Sequence, residues 1–301
     1  MMTHTQDVLT DLSAALAARA EGVRPLIAEI HTDDSSSRSG TLWRPDIVIA
    51  SEQSLPDAES FDIVLAGGAS KARLAGRDGG TNVAVLKLEQ PAKSALPAIS
   101  HGKVGALALA YGADGNGGIT ARLGSVALDG GEWHSRAGGK IDARIHLDMQ
   151  IGTSEEGGPV LDANGELLGI STLGPRGRVL VIPASTIERV IGPLLANGRI
   201  ERGWLGLALQ PVAVPDSLRA AAAQDSGLMV MSAADDGPAS KAGVVAGDIL
   251  LQIAGVSVVR MRRLAEQLGP DSVGKQLELK LIRAGALISL TATITPRPKD
   301  G

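Results

Sequence analysis

The chain is built from short aliphatic runs cut apart by Gly, Asp, Ser and Pro, with no long helical pattern between most of them. Leu26–Ile30, Ile47–Ala50, Ile63–Leu65, Val83–Leu88, Val104–Ala110, Ile141–Leu147, Leu167–Ser171 and Val179–Ile182 each have strand length and turn-forming flanks. Strands that follow one another this closely close into a barrel or pack as a sandwich. The 38 glycines suit the tight turns such folds need. Only Trp43, Phe61, Tyr111, Trp133 and Trp204 are aromatic, so the cores must be aliphatic. Residues 32–40 read as a solvated loop.

Two helices interrupt the strand pattern. Val8, Leu9, Leu12, Ala15 and Leu16 keep helical spacing, with Gly22 as the stop. After Pro183, Ser185 and Glu188 have capping-box spacing. Ile187, Val190, Ile191, Leu194 and Leu195 then share a face, and Asn197-Gly198 ends the helix. From Gly203 the pattern resets. Trp204–Gln210, Leu228–Ser232 and Asp248–Ile253 read as strands, Pro238–Ala242 as a short helix. Met261, Leu264, Ala265 and Leu268 share another helical face, and Leu277–Ile282 with Ile288–Ile294 form a hairpin.

Composition narrows the function classes. At 301 residues the chain is long enough for two or three domains, and its 44% hydrophobic and 21% charged content is that of a globular protein. A net charge of −4 with no basic block gives little support to nucleic-acid or membrane-surface binding. The absence of cysteine removes disulfides, thiol nucleophiles and thiolate metal sites. No apolar run approaches a membrane span, and residues 1–24 lack a secretory pattern. As written the chain reads as cytoplasmic; a trimmed export signal would make it periplasmic.

Arg202-Gly203-Trp204-Leu205-Gly206-Leu207, Gly237-Pro238-Ala239-Ser240-Lys241-Ala242-Gly243 and Gly247–Gly255 together resemble a PDZ domain of the HtrA type. The resemblance implies that Leu205, Gly206 and Leu207, following Trp204, turn backbone N–H groups on a peptide's terminal carboxylate. Met261 and Leu264 would lie on the helix that walls the groove. Arg260, Arg262 and Arg263 beside it read either as a solvated helix face or as a preference for acidic residues upstream of the terminus.

Residues 25–199 are similar to the trypsin-like protease domain of the same HtrA/DegP family. Asp78–Lys87, Ile145–Pro159, Leu161–Ile170 and Val181-Ile182-Pro183 carry the likeness. The implied architecture is mainly β: a helix over residues 1–24, a chymotrypsin-like double β-barrel over 25–199 and a PDZ domain over 200–298. The catalytic positions depart from the family pattern. Glu52 stands where the histidine belongs, Asn82 where the aspartate belongs, and Glu156, before Gly157-Gly158-Pro159, where the serine belongs. Ser154, with Glu155 beside it in the former oxyanion loop, replaces a glycine two residues before the nucleophile. A serine without a base is not activated for acyl transfer.

Three functional readings follow. The first is a pseudoprotease adaptor, chaperone-like or regulatory protein binding peptide C-termini through its PDZ domain, with no catalytic residue, cofactor or metal. The second is a repurposed cleft in which Glu52 and Glu156 face one another as acid and base or as cation ligands; its bland counterpart is a pair of solvated glutamates. The third is a serine endopeptidase, the family's label. Such proteins commonly trimerise through aromatic N-terminal elements, which are missing here before Trp43. The N-terminal helix instead docks on its own barrel or pairs with another chain through Val8, Leu12 and Leu16.

Overall fold

The computed structural model describes residues 7–32, 36–93, 95–135 and 137–298. The chain divides into two compact units. One runs through Trp133 and resumes over Ile141–Arg199; the other comprises His134–Lys140 and the chain from Ile200 onward.

The first unit opens with a helix over Val8–Val23, capped by the Asp7 carboxylate, which accepts from Leu9 N. The helix continues through Gly22, beyond the expected stop. Its second half meets the protein: Val23 is buried, Leu16 is half-buried and the Arg19 guanidinium donates to Ala163 O, whereas Val8, Leu9 and Leu12 are exposed. Two closed antiparallel barrels of six strands follow. In the first the neighbours run Ile27–His31, Ser37–Arg44, Ile47–Ser51, Val83–Leu88, Gly68–Asp78, Ser60–Leu65. In the second they run Arg144–Asp148, Val179–Pro183, Leu167–Leu173, Pro159–Asp162, Leu107–Ala113, Ile119–Gly130. Each barrel encloses aliphatic side chains: Ile30, Leu42, Val48, Ile63 and Leu86 in one, Val126, Ile145, Val160, Leu168 and Val181 in the other. Closure leaves no free sheet edge within either barrel.

The structure corrects the sequence reading in several places. Ser37–Arg44, partly assigned to a solvated loop, is a strand in which Ser39 and Thr41 are fully buried. Residues 33–35 of that stretch lie outside the described residues. The run Ile141–Leu147 is broken, with its main strand at Arg144–Asp148. Gly68–Asp78 and Ile119–Gly130 are long strands whose side chains are mostly small, polar or exposed, so an aliphatic run does not announce them. The helix Ala184–Asn197 has no side-chain cap. Glu188 leaves the expected capping box to accept from Trp43 Nε1 and Arg44. Its end is as read, with Gly198 left-handed at φ 71°.

The second unit is a sheet in the order Leu207–Ala213, Ser226–Ala233, Ile249–Ile253, Gln276–Arg283, Ala286–Thr293. Helices Asp216–Ala222, Pro238–Lys241 and Met261–Gln267 accompany it. Leu205, Leu228, Val230, Leu250, Leu264, Leu279 and Leu281 form its core. The expected strand Trp204–Gln210 is interrupted, because Gly206 takes φ 75° and turns the chain before Leu207.

Candidate functional site

In the first unit, the turn carrying Thr153–Pro159 lies against the first barrel. The Ser39 hydroxyl donates to Ser154 O at 2.6 Å, and the Thr41 hydroxyl to Gly157 O at 3.1 Å. Gly157 has φ 94°, and a Cβ on Gly158 would fall inside the envelope of the Tyr111 carbonyl. Both glycines are therefore required by close backbone approach.

Glu156 points inward from this turn and is 4% exposed. Its Oε1 accepts from Ser51 Oγ at 2.9 Å, Gln53 Nε2 at 2.6 Å, Thr172 Oγ1 at 2.6 Å and Leu173 N at 3.1 Å. Asn82, left-handed at φ 58°, donates through Nδ2 to Ser51 Oγ at 3.0 Å and Thr172 Oγ1 at 2.7 Å. Its Oδ1 accepts from Gln53 N. Each hydroxyl thus receives the Asn82 amide and passes its own proton toward Glu156. Such a network distributes a buried negative charge over several donors.

Glu52 is held elsewhere. Its Oε1 lies 2.8 Å from Arg77 Nη2 and accepts from Arg77 Nε at 2.9 Å. Asn82 and Glu156 therefore share a network, while the Glu52 side chain belongs to a separate ion pair. Glu155 is 2% exposed; it accepts from Arg122 Nε at 2.8 Å and from Gly152 N. Neither Glu155 nor Glu156 is a solvated loop residue, which overturns the bland reading of Glu156. Among the described residues no histidine side chain is hydrogen-bonded to a serine, and no three His, Cys, Asp or Glu side chains converge as metal ligands. Ser51, Gln53, Thr172, Arg77 and Arg122 were not singled out by sequence. The one local signal was adjacency, since Ser51 and Gln53 flank Glu52.

In the second unit, the strand Leu207–Ala213 pairs with Ser226–Ala233 on one side and ends the sheet on the other. Ala234 N donates to Gly206 O at 2.7 Å just beyond the Leu207↔Ala233 pair, which marks that pair as non-hydrogen-bonded. The backbone groups of Leu207 accordingly face the open edge. At the far end Val214 N donates to Asp225 O, which gives Ala213 the same outward sense. The register shift between these ends inserts Met231 into the partner strand and leaves the alternation of this one unchanged. Leu207, Leu209, Pro211 and Ala213 therefore present their backbone outward.

Before the strand, Leu205 O accepts from Ala239 N, and the Leu205 side chain is buried in the core. Among the described residues the N–H groups of Leu205 and Gly206 donate to no other group of the chain. Leu207, Leu209 and Leu268 are half-buried against the core cluster that includes Leu264, with Met261 exposed at the start of the helix Met261–Gln267. Trp204 is half-buried, its ring close to Gly206.

Residues 38–170 match the model of the trypsin-like peptidase domain, and residues 204–294 that of the PDZ domain. The chain belongs to the HtrA family. The double barrel is its chymotrypsin-like protease fold, and the sheet with the open edge is its PDZ domain. The chain is 31% identical over 265 residues to a probable periplasmic serine endoprotease, DegP-like, of Brucella suis biovar 1 (strain 1330). That match covers 84% of this chain and 51% of the relative, so the chain spans about half the length of the curated relatives it matches. A serine endoprotease from Yersinia pestis superposes with TM-score 0.72 at 25% identity, over 94% of this chain and 98% of the other. The HtrA-type protease AlgW, solved with a tripeptide, superposes with TM-score 0.69 at 26% identity, over 96% and 98%. In this HtrA-family chain, the turn before Gly157-Gly158-Pro159 holds a buried carboxylate.

Proposed function

We propose that this HtrA-family chain is a peptide-binding adaptor: its PDZ domain takes free C-termini, and its protease-fold domain serves as a scaffold without proteolytic chemistry. The observation that carries the reading is Glu156, buried at the end of the nucleophile turn with four donors on one oxygen. A carboxylate so engaged has no serine hydroxyl to offer, and its charge opposes an oxyanion in the same turn. The Ser51 and Thr172 protons are already committed to Glu156, and no imidazole is within their hydrogen-bond network.

Peptide capture follows from the second unit. The N–H groups of Leu205 and Gly206 supply a carboxylate cradle, and the outward backbone of Leu207 and Leu209 supplies a template for an added strand. Leu207, Leu209, Leu264 and Leu268 make the apolar floor, and Met261 the lip. We assign the protein to the periplasm, as its relatives are named periplasmic.

The test is binding of a C-terminal peptide library to the whole protein, with casein turnover followed in parallel. Gly206→Trp places an indole where even a Cβ would lie 3.1 Å from the Trp204 ring. It should reduce binding at least tenfold while the circular dichroism spectrum is retained. Selective binding without casein cleavage supports the adaptor.

The names of the relatives favour a second reading, that of a serine endopeptidase. Labelling of one specific serine by a fluorophosphonate probe would establish that reading in place of the scaffold.

A further inference from the structure

We infer that Pro211 sets the length of peptide the groove reads, limiting the added strand to the last four residues; this rests on the peptide-binding reading above. The strand Leu207–Ala213 offers its outward backbone at alternate residues, and the third of these is proline. Proline is tolerated there because its missing N–H would have faced the open edge, where the chain itself loses no ladder bond. An incoming strand does lose one.

With the carboxylate at Leu205 and Gly206, the terminal residue of an antiparallel peptide lies opposite Leu207. The residue two before it lies opposite Leu209, where N–H and C=O groups are exchanged in both directions. The residue four before the terminus lies opposite Pro211. Its carbonyl meets the pyrrolidine ring instead of a donor, so continued pairing would take a peptide carbonyl out of water without compensation. The peptide therefore leaves the edge after its fourth residue from the end. Ala213 offers an outward N–H again, but it can be reached only past that mismatch.

The experiment is a length series on the whole protein, by calorimetry or fluorescence anisotropy. N-acetylated peptides share one library-selected C-terminal triplet and run from that triplet alone through four, five, six and eight residues, extended upstream with alanine and serine, so that added affinity reports backbone pairing; the acetyl carbonyl first reaches the Pro211 position in the four-residue peptide. In the native sequence, affinity should change less than twofold between the acetylated triplet and eight residues. Pro211→Ala restores the missing donor, and the eight-residue peptide should then bind about threefold to tenfold tighter than the acetylated triplet. A native affinity that climbs steadily with length overturns the inference, as does a plateau that Pro211→Ala leaves unchanged. If no peptide of any length binds, the failure lies with the peptide-binding reading itself.

Discussion

At the scale of the residue, Glu156 carries the proposed scaffold reading of the protease fold. Its Oε1 gathers Ser51, Gln53, Thr172 and the Leu173 N–H, so the carboxylate anchors a turn. On the scaffold reading proposed above, a serine in its place gains no base, because Glu52 remains paired with Arg77 and, among the described residues, no imidazole joins the network. Glu156→Ser should leave casein turnover and fluorophosphonate labelling at background. The same substitution strips several buried donors of their acceptor and should cost about 1–3 kcal/mol, read as a lower unfolding temperature. Cleavage by this single variant would show that the site is placed wrongly.

The same residue marks a limit of sequence reasoning. That Glu156 directly precedes Gly157-Gly158-Pro159, where the family resemblance implies a serine, was legible in the sequence. Its burial was not, because glutamates on loops are usually exposed. The inward direction depends on four donors from segments remote in sequence, the nearest of them Thr172 and Leu173. Likewise Ser185 and Glu188 have capping-box spacing, yet Trp43 and Arg44 draw Glu188 away.

At the scale of the element, legibility follows burial. Val83–Leu88 is buried at five of six positions, and its aliphatic run coincides with the strand. Gly68–Asp78 and Ile119–Gly130 are held by ladders to neighbours on both sides and need no aliphatic run to stay in place. Ser37–Arg44 is harder still, since the buried hydroxyls of Ser39 and Thr41 are satisfied by carbonyls of the turn Thr153–Pro159. That turn is built on proximity to the Tyr111 backbone. Gly158→Ala should cost about 3 kcal/mol or more, seen as a lower unfolding temperature or loss of soluble protein. A variant melting with the native sequence would place the turn elsewhere.

At the scale of the whole molecule, the Asp248–Arg283 ion pair should make the PDZ domain sensitive to acid. Burial raises the pKa of Asp248, but the Arg283 guanidinium and the Val245 N–H outweigh it, and the carboxyl lies below its ordinary value. A carboxyl depressed in the folded state adds stability above its unfolded pKa of about 4, and that contribution disappears as pH falls through the lower folded value. The unfolding temperature of the PDZ domain should therefore drop below about pH 4. Asp248→Asn should melt lower at neutral pH and show a flatter acid limb; an unchanged acid limb would assign the sensitivity to other carboxyls.

The linear order of residues was enough to determine the two folds and the absence of thiol chemistry, and to place Glu156 before Gly157-Gly158-Pro159. These depend on which side chains exist and on local periodicity, and both are written along the chain. Tertiary structure alone decided that Glu156 is consumed by a buried network, that Glu52 turns to Arg77, and that Pro211 faces the open edge. A side chain's direction is set by partners that only folding brings within hydrogen-bond reach.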